Sequence, residues 1–289
     1  MPISPDPRRE HPSTYIVQNL SNKEEMQRLQ LQDHLVNLGM GGPLPEQADP
    51  ARVQSVLDVG CGTGGWLIEL ATTYPHISRL AGIDISSKML DFARSQAAAQ
   101  GIGERTEFFV MDALRMLEFP DASFDLVNQR AGMSWLRTWD WPKLLQEYRR
   151  VIRPGGVLRV TEASIPTHSS SAALLHLNEL ALQAFHQAGH FFQPTESGVT
   201  DALARLLHQY GFQNVQTRPY ALEYHAGTPE GELFAKDMQH VFRTMQPFLQ
   251  KWIHLPDDYA AIYQQMVREM HEPDFVATWE ILTAWGIKR

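Results

Sequence analysis

The residues best suited to chemistry form one run, in which Val56-Leu57-Asp58-Val59 leads into Gly60-Cys61-Gly62-Thr63-Gly64-Gly65. The apolar, β-branched stretch from Val53 to Val59 reads as a strand, and Trp66 to Thr73 as the helix that follows. Glycines at such a junction let the chain turn sharply and let backbone amides approach a ligand with no side chain between. Gly60, Gly62 and Gly65 satisfy a G-x-G-x-x-G spacing, which alone suits a dinucleotide site or a plain strand–helix turn equally. Asp84 ends the next strand, roughly 20 residues past the glycines, where a carboxylate can accept from both hydroxyls of a ribose. Together these residues point to an adenosine-bearing ligand without choosing which one. Asp84 can also cap the next helix, a role that Ser86 makes less necessary.

Three histidines are candidates for a general base that takes a proton from a hydroxyl or amine. His186 and His190 are four apart, on one face of an expected helix, and His168 follows the fifth strand by a short loop. A metal pair has no carboxylate at matching spacing, so no metal is expected, and structural or surface roles compete for each histidine. Trp135, Trp139 and Trp141 follow the fourth strand, and Phe185, Phe191 and Phe192 cluster further on. Singly each suits core packing; collectively Trp135, Trp139, Phe185 and Phe191 suggest an apolar acceptor pocket. Arg130 and Arg137 suit a substrate carboxylate, against a solvated default.

Alternating elements must hold these residues in place. After Val53–Val59 come strands at Leu80–Ile85, Thr106–Met111, Phe124–Asn128 and Val157–Thr161, with helices between. That alternation argues for a parallel, doubly wound sheet. Ser21 and Glu24 form a capping-box signature for a helix that stops near Gly39. Beyond the fifth strand, Ala172 to Ala188 and Val199 to Tyr210 read as helices and Phe212 to Tyr224 as a strand. Pro229 to Met270 is mainly helical with a break at Leu255-Pro256, and Phe275 to Ile287 is a final strand. If the strands near 215 and 280 pair, the helices between them roof the sheet edge where ligands bind. Met238, Phe242, Met245, Phe248 and Trp252 recur at helical spacing, a buried stripe or a dimer face.

With 289 residues, 43% hydrophobic and 20% charged, the composition suits a globular domain with a substantial core. A net charge of -8 does not favour a nucleic-acid binder. The single cysteine, Cys61, excludes an internal disulfide and fits a reducing compartment. No signal peptide or membrane-spanning run is visible, so a cytoplasmic protein without membrane insertion is expected.

The run Val56 to Gly64 resembles motif I of the class I S-adenosylmethionine-dependent methyltransferases. So do Gly82-Ile83-Asp84-Ile85-Ser86 with Met89-Leu90, then Met111-Asp112-Ala113, Ser123-Phe124-Asp125-Leu126-Val127 and Arg153-Pro154-Gly155-Gly156. Their order and spacing over about residues 50–163 are similar to the ubiquinone/menaquinone-methyltransferase type of small-molecule enzymes. The resemblance implies a Rossmann-like, seven-stranded doubly wound α/β sheet with an antiparallel last strand; the N-terminal helix and the helical cap insertions are read from the residue pattern and are not carried by it. Both readings together divide the chain into a tail and lid helix (1–50), a cofactor-binding core (51–165), and cap helices with completion of the sheet (166–289).

The resemblance also implies roles. Gly60, Gly62 and Gly64 would wrap the amino-acid part of S-adenosyl-L-methionine, with Asp58 facing its ammonium. Asp84 would hold the ribose, and Ile85 and Met89 would flank the adenine. Asp112 would accept from the adenine amine beside the Ala113 amide. Asn128 and Gln129 would lie near the sulfonium, and Tyr15, with Gln32, would close the site. The expected activity is methyl transfer to a small molecule with an aromatic or apolar body. Two alternatives stand beside it: a protein that binds the cofactor without methyl transfer, as a sensor or rearrangement catalyst, and an RNA or protein methyltransferase. The absence of an Asn/Asp-Pro-Pro-aromatic tetrapeptide after the fourth strand argues against the amino-methylating enzymes of nucleic acid and protein glutamine.

Overall fold

The computed structural model describes residues 15–16 and 23–289, apart from 48, 167 and 196. The expected loose tail, 1–13, and the Ser21–Glu24 capping box lie outside the described residues and side chains. Helix α1 (Lys23–Met40) precedes β1 (Ser55–Val59), α2 (Gly65–Thr73), β2 (Arg79–Asp84), α3 (Ser87–Ala99), β3 (Thr106–Val110) and β4 (Phe124–Arg130). Then come α4 (Trp141–Val151), β5 (Ile152–Ala163), β6 (His168–Ser169), α5 (Ala172–Gln187), α6 (Thr200–Gln209) and β7 (Phe212–His225). The chain ends with α7 (Pro229–Thr244), α8 (Gln246–Trp252), α9 (Tyr259–Glu269) and β8 (Val276–Lys288).

Strands β1 to β5 are parallel, in the order β3-β2-β1-β4-β5. Strand β8 follows β5 antiparallel and carries β7 on its other side. The strands near 215 and 280 therefore pair, with α7 to α9 inserted between them. The seven expected strands are present, and two-residue β6 adds to β8 beyond the end of β5. A pair of residues is too short for any alternation to announce it. Strand β5 starts earlier than expected: the Pro154-Gly155-Gly156 turn sits in a register shift against β4 rather than before the strand. The region 229–270 has two breaks where one was expected, since Pro247 starts α8 immediately after α7.

Side-chain alternation sorts the core by sheet face. Val56, Leu80 and Leu126 pack with α2 and α3, whereas their neighbours Leu57, Ala81 and Val127 join the cluster that includes α4 and the cap helices. Chain order turns back between β1 and β4, which opens a crevice at their carboxyl ends. Helices α1 and α7 pack on each other across that edge, and α5 packs on α8 and α9. No helix among the described residues is long and apolar enough to cross a membrane.

The cap is anchored to the sheet through Phe234 of α7. Its ring is fully buried and stacks on Tyr224 of β7 at 4.5 Å, with Phe275 at 6.4 Å on the path into β8. Phe234→Ala should destabilise the protein by about 3–5 kcal/mol, because the two strands cannot close the cavity left. Urea unfolding of the variant beside the parent checks this.

Candidate active site

At the crevice lies a cavity of ≈ 330 Å³. Its first wall is the turn after β1. Gly60, Gly62 and Gly64 have φ of 69°, 53° and 75°, the left-handed region in which a side chain is strained. A Cβ on Gly60 would also come within 3.2 Å of the Trp135 ring. Gly60 and Gly62 line the cavity; Gly64 stands behind them as the residue from which α2 starts. Asp84 crosses to this turn, accepting from the Gly62 amide at 3.0 Å and from the Ser86 amide at 2.8 Å. Ser86 caps α3, its hydroxyl accepting from the Met89 amide. Asp84 therefore joins the two loops and caps locally at once, a double role that the spacing alone left open. Ile85 and Met89 line the cavity next to it, and so do Asp112 and Ala113 after β3.

Two further carboxyl groups face the cavity from buried strand ends. Asp58 of β1 accepts from Asn128 Nδ2 at 2.7 Å; Asn128 in turn accepts from Arg159, whose other nitrogen donates to Glu46 at 2.8 Å. Desolvation pushes the Asp58 carboxyl up to about 7, against the stabilising Asn128 hydrogen bond. Glu162 of β5 accepts from the amides of Gly132 (2.8 Å) and Met133 (3.0 Å) and from Gln129 Nε2 (2.9 Å). Burial pushes it up to about 7 as well. It fixes the turn after β4, where Ala131 is held at a φ of 51°. Asn128 and Gln129 are thus fully buried supports that hold Asp58 and Glu162 from behind. They do not line the cavity themselves, because their side chains are used up in these bonds. Glu162 was not singled out in the sequence, although an acid in the strand run Val160-Thr161-Glu162-Ala163 was a usable signal.

A lid closes over this floor. The Ile16 amide donates to the Ser134 carbonyl at 3.0 Å, which lays Tyr15 over the cavity. Arg28 of α1 donates to Glu25, to Tyr15 and, at 2.9 Å, to Asp237 of α7; Gln32 donates to the other Asp237 oxygen at 3.1 Å. Arg130 is held by Asp33 and Asn37, so its charge is already balanced by α1 rather than free for a substrate carboxylate. Arg137 lies outside the cavity, over the Trp139 ring.

The cap supplies an apolar wall: Phe185 of α5 with Met238, Phe242 and Met245 of the α7 region. Trp135 lines the cavity. Trp139 does not; it is 60% exposed, covering Gly189. Phe191 is buried one layer back, stacked on Phe185 at 5.0 Å.

The histidines need correction. Gly189, with a φ of 83°, ends α5, so His186 and His190 do not share a helix face. His186 is exposed, and so is His168 on the short β6; neither lines the cavity. His190 is buried against Phe185 and Phe248 with Nδ1 on the Met133 carbonyl. Desolvation pushes its pKa down to about 4, which makes it a weak base, and it too is absent from the cavity wall. Among the described residues no histidine lines the cavity.

Comparison with known proteins places this architecture. Residues 56–156 match the family model of a methyltransferase domain. The chain is 31% identical to the demethylmenaquinone methyltransferase of Anoxybacillus flavithermus, over 57% of this chain and 72% of that protein. It is 32% identical to the O-methyltransferase rstn1 of Aspergillus nomiae, over 59% of this chain and 69% of that one. The fold is shared with the YcgJ protein of Bacillus subtilis, with a TM-score of 0.51 at 19% identity over 82% of this chain and 92% of that one. The chain belongs to the class I S-adenosylmethionine-dependent methyltransferases, in their small-molecule group. It is an enzyme, and its methyl donor is S-adenosyl-L-methionine.

The His186 side chain is exposed and off the cavity wall. His186→Ala should leave methyl-transfer turnover within twofold of the parent, read as initial rates at saturating methyl donor; a large loss would return this histidine to the mechanism.

Proposed function

We propose that this methyltransferase acts on a small acceptor with an aromatic or apolar body, held beneath the cap and against the methyl donor. The observation that carries the reading is the division of one cavity into an acidic, glycine-lined floor and an apolar roof. The donor set on the floor fits S-adenosyl-L-methionine. Asp58, Asp84 and Glu162 accept only from neutral groups among the described residues. Such a desolvated acidic floor favours a ligand that brings positive charge.

In this reading Asp58 meets the ammonium and Asp84 the ribose hydroxyls, using the oxygen lone pairs that its two amide bonds leave. Ile85 and Met89 flank the adenine, and Asp112 takes its amine beside the Ala113 amide. Gly60, Gly62 and Gly64 shape the path of the amino-acid end. The bound donor supplies an electrophilic methyl on a sulfonium. The chain contributes mainly placement: it aligns an acceptor atom with that methyl and keeps water out, which accounts for a large part of the barrier. Glu162 acts by holding the Gly132–Met133 turn that faces the acceptor. The roof of Phe185, Met238, Phe242 and Met245 suits a ring, and the relative named for demethylmenaquinone supports an acceptor of that class. In this reading residues 51–165 form the donor-binding core, the described residues before 51 supply the lid, and 166–289 supply the cap and complete the sheet.

Isothermal titration with S-adenosylhomocysteine, followed by transfer of labelled methyl to a panel of phenols, quinols and polar amines, tests this reading. Binding with product confined to the ring-bearing acceptors is expected. Product confined to polar amines would overturn the apolar-acceptor reading. Asp84→Ala should weaken the titrated affinity by about 1–3 kcal/mol, the cost of charged hydrogen bonds lost.

Asp58 gives a pH signature. Its folded pKa of about 7 lies above its ordinary value, so the stability it contributes is present below about 4 and is lost as pH rises through about 7. An ammonium binds the ionised form. Affinity for S-adenosylhomocysteine should therefore rise from pH 5.5 to 8 and level off, with proton release seen as buffer-dependent heats near pH 6.5. In Asp58→Asn that rise should disappear.

A further inference from the structure

Helix α5 packs Leu174 and Leu177 into the core and turns apolar Ala181 and Phe185 to the cavity. One residue on that face is polar. Asn178 is 5% exposed and lines the cavity between Pro166 and Ala181. Its Nδ2 donates to the Pro166 carbonyl at 2.8 Å. A backbone carbonyl can only accept, so this bond fixes which way the amide is turned. Oδ1 is left as a pure acceptor. No described residue donates to it, and it is not sealed in protein either. A buried amide oxygen with an apolar surround and no protein donor loses free energy unless something in the cavity donates to it.

We propose that Asn178 is a specificity-determining residue that accepts a hydrogen bond from a hydroxyl or N–H on the acceptor's apolar body. This rests on the reading of the cavity's roof as the acceptor site, and it narrows the acceptor class. A ring that carries a donor satisfies Oδ1. A ring whose hydroxyl is blocked or missing leaves Oδ1 unpaired and displaces the water that would otherwise meet it. An analogue that lacks the partner leaves the site's polar group unpaired and binds more weakly by about the worth of that bond. Ala181, Phe185, Met238, Phe242 and Met245 of the cap wall carry no side-chain hydrogen-bonding group, so Asn178 is the group on that wall that can orient the ring by a hydrogen bond. Which ring atom faces the methyl donor then follows from the distance between the acceptor's donor group and that atom.

Two naphthalenes test this: 2-naphthol and 2-methoxynaphthalene, titrated into the full chain saturated with S-adenosylhomocysteine at pH 6. The parent should bind 2-naphthol about tenfold more tightly, the equivalent of one net hydrogen bond in an apolar site. Asn178→Leu, which keeps the branching at Cγ and removes the polar atoms, should reduce that ratio to near one while leaving the affinity for S-adenosylhomocysteine unchanged. Asn178→Ala serves in its place should the leucine variant fail to fold. Asn178→Asp should keep the ratio: protonated and buried, its carboxyl donates to the Pro166 carbonyl and retains an acceptor oxygen. Equal binding of the two naphthalenes by the parent, or a preference that survives in the leucine or alanine variant, overturns the assignment to Asn178. Binding of neither overturns the apolar-acceptor reading itself, and the assignment with it.

Discussion

The site depends on negative charge withdrawn from water at the carboxyl edge of the sheet. Asp58 and Glu162 are each pushed up to about 7, and Asp84 is also raised, all chiefly by desolvation. Carboxyl groups in such a place cost free energy in the protein alone. They persist because their neighbours overdetermine them. Two amides and an amide side chain grip Glu162, two amides grip Asp84, and the buried Glu46–Arg159–Asn128 chain ends on Asp58. A cationic ligand relieves the cost that folding leaves in place. The strongest attraction therefore lies between this floor and positive charge, and the remaining elements serve to enclose that floor.

Enclosure is achieved by a second buried charge cluster, of a different kind. Arg28 lies between Glu25 on its own helix and Asp237, 209 residues away on α7. Breaking such a pair would strand a charge in the interior, so the contact fixes where the lid sits more than it adds to stability. Because Tyr15, Arg28 and Gln32 all line the cavity while bonding to one another or to Asp237, lid position and cavity shape are set by the same atoms. Phe234 holds α7 to β7 from behind, so the lid rests on the sheet rather than on the loops alone.

The core was legible in the sequence because its signals are local. Strand alternation, the glycine turn, Ser86 as a cap and Asp84 at a strand end each act within a few residues of where they are read, and the structure puts each of them in its expected element. The histidines went astray for a reason that is also local. The periodicity that joined His186 to His190 ignored Gly189, whose left-handed backbone ends the helix between them. Trp139 shows another limit, since an aromatic next to a site on the chain can still turn outward to cover a glycine. Arg28 and Asp237 were beyond reach, because nothing in either neighbourhood reports a partner 209 residues distant.

Glu162 and Asn178 fall between these cases. Each is a polar residue set within an apolar pattern, one at the end of a strand run and the other on the buried stripe of a helix. A polar residue in such a position disturbs local consistency, and it survives only where partners satisfy it. For Glu162 those partners are two backbone amides and the Gln129 side chain, so its carboxyl group is used to shape the turn beside the donor. For Asn178 the described residues supply a partner to the nitrogen and none to the oxygen. That asymmetry separates them: one polar group is consumed in building the site, and the other is left facing into it.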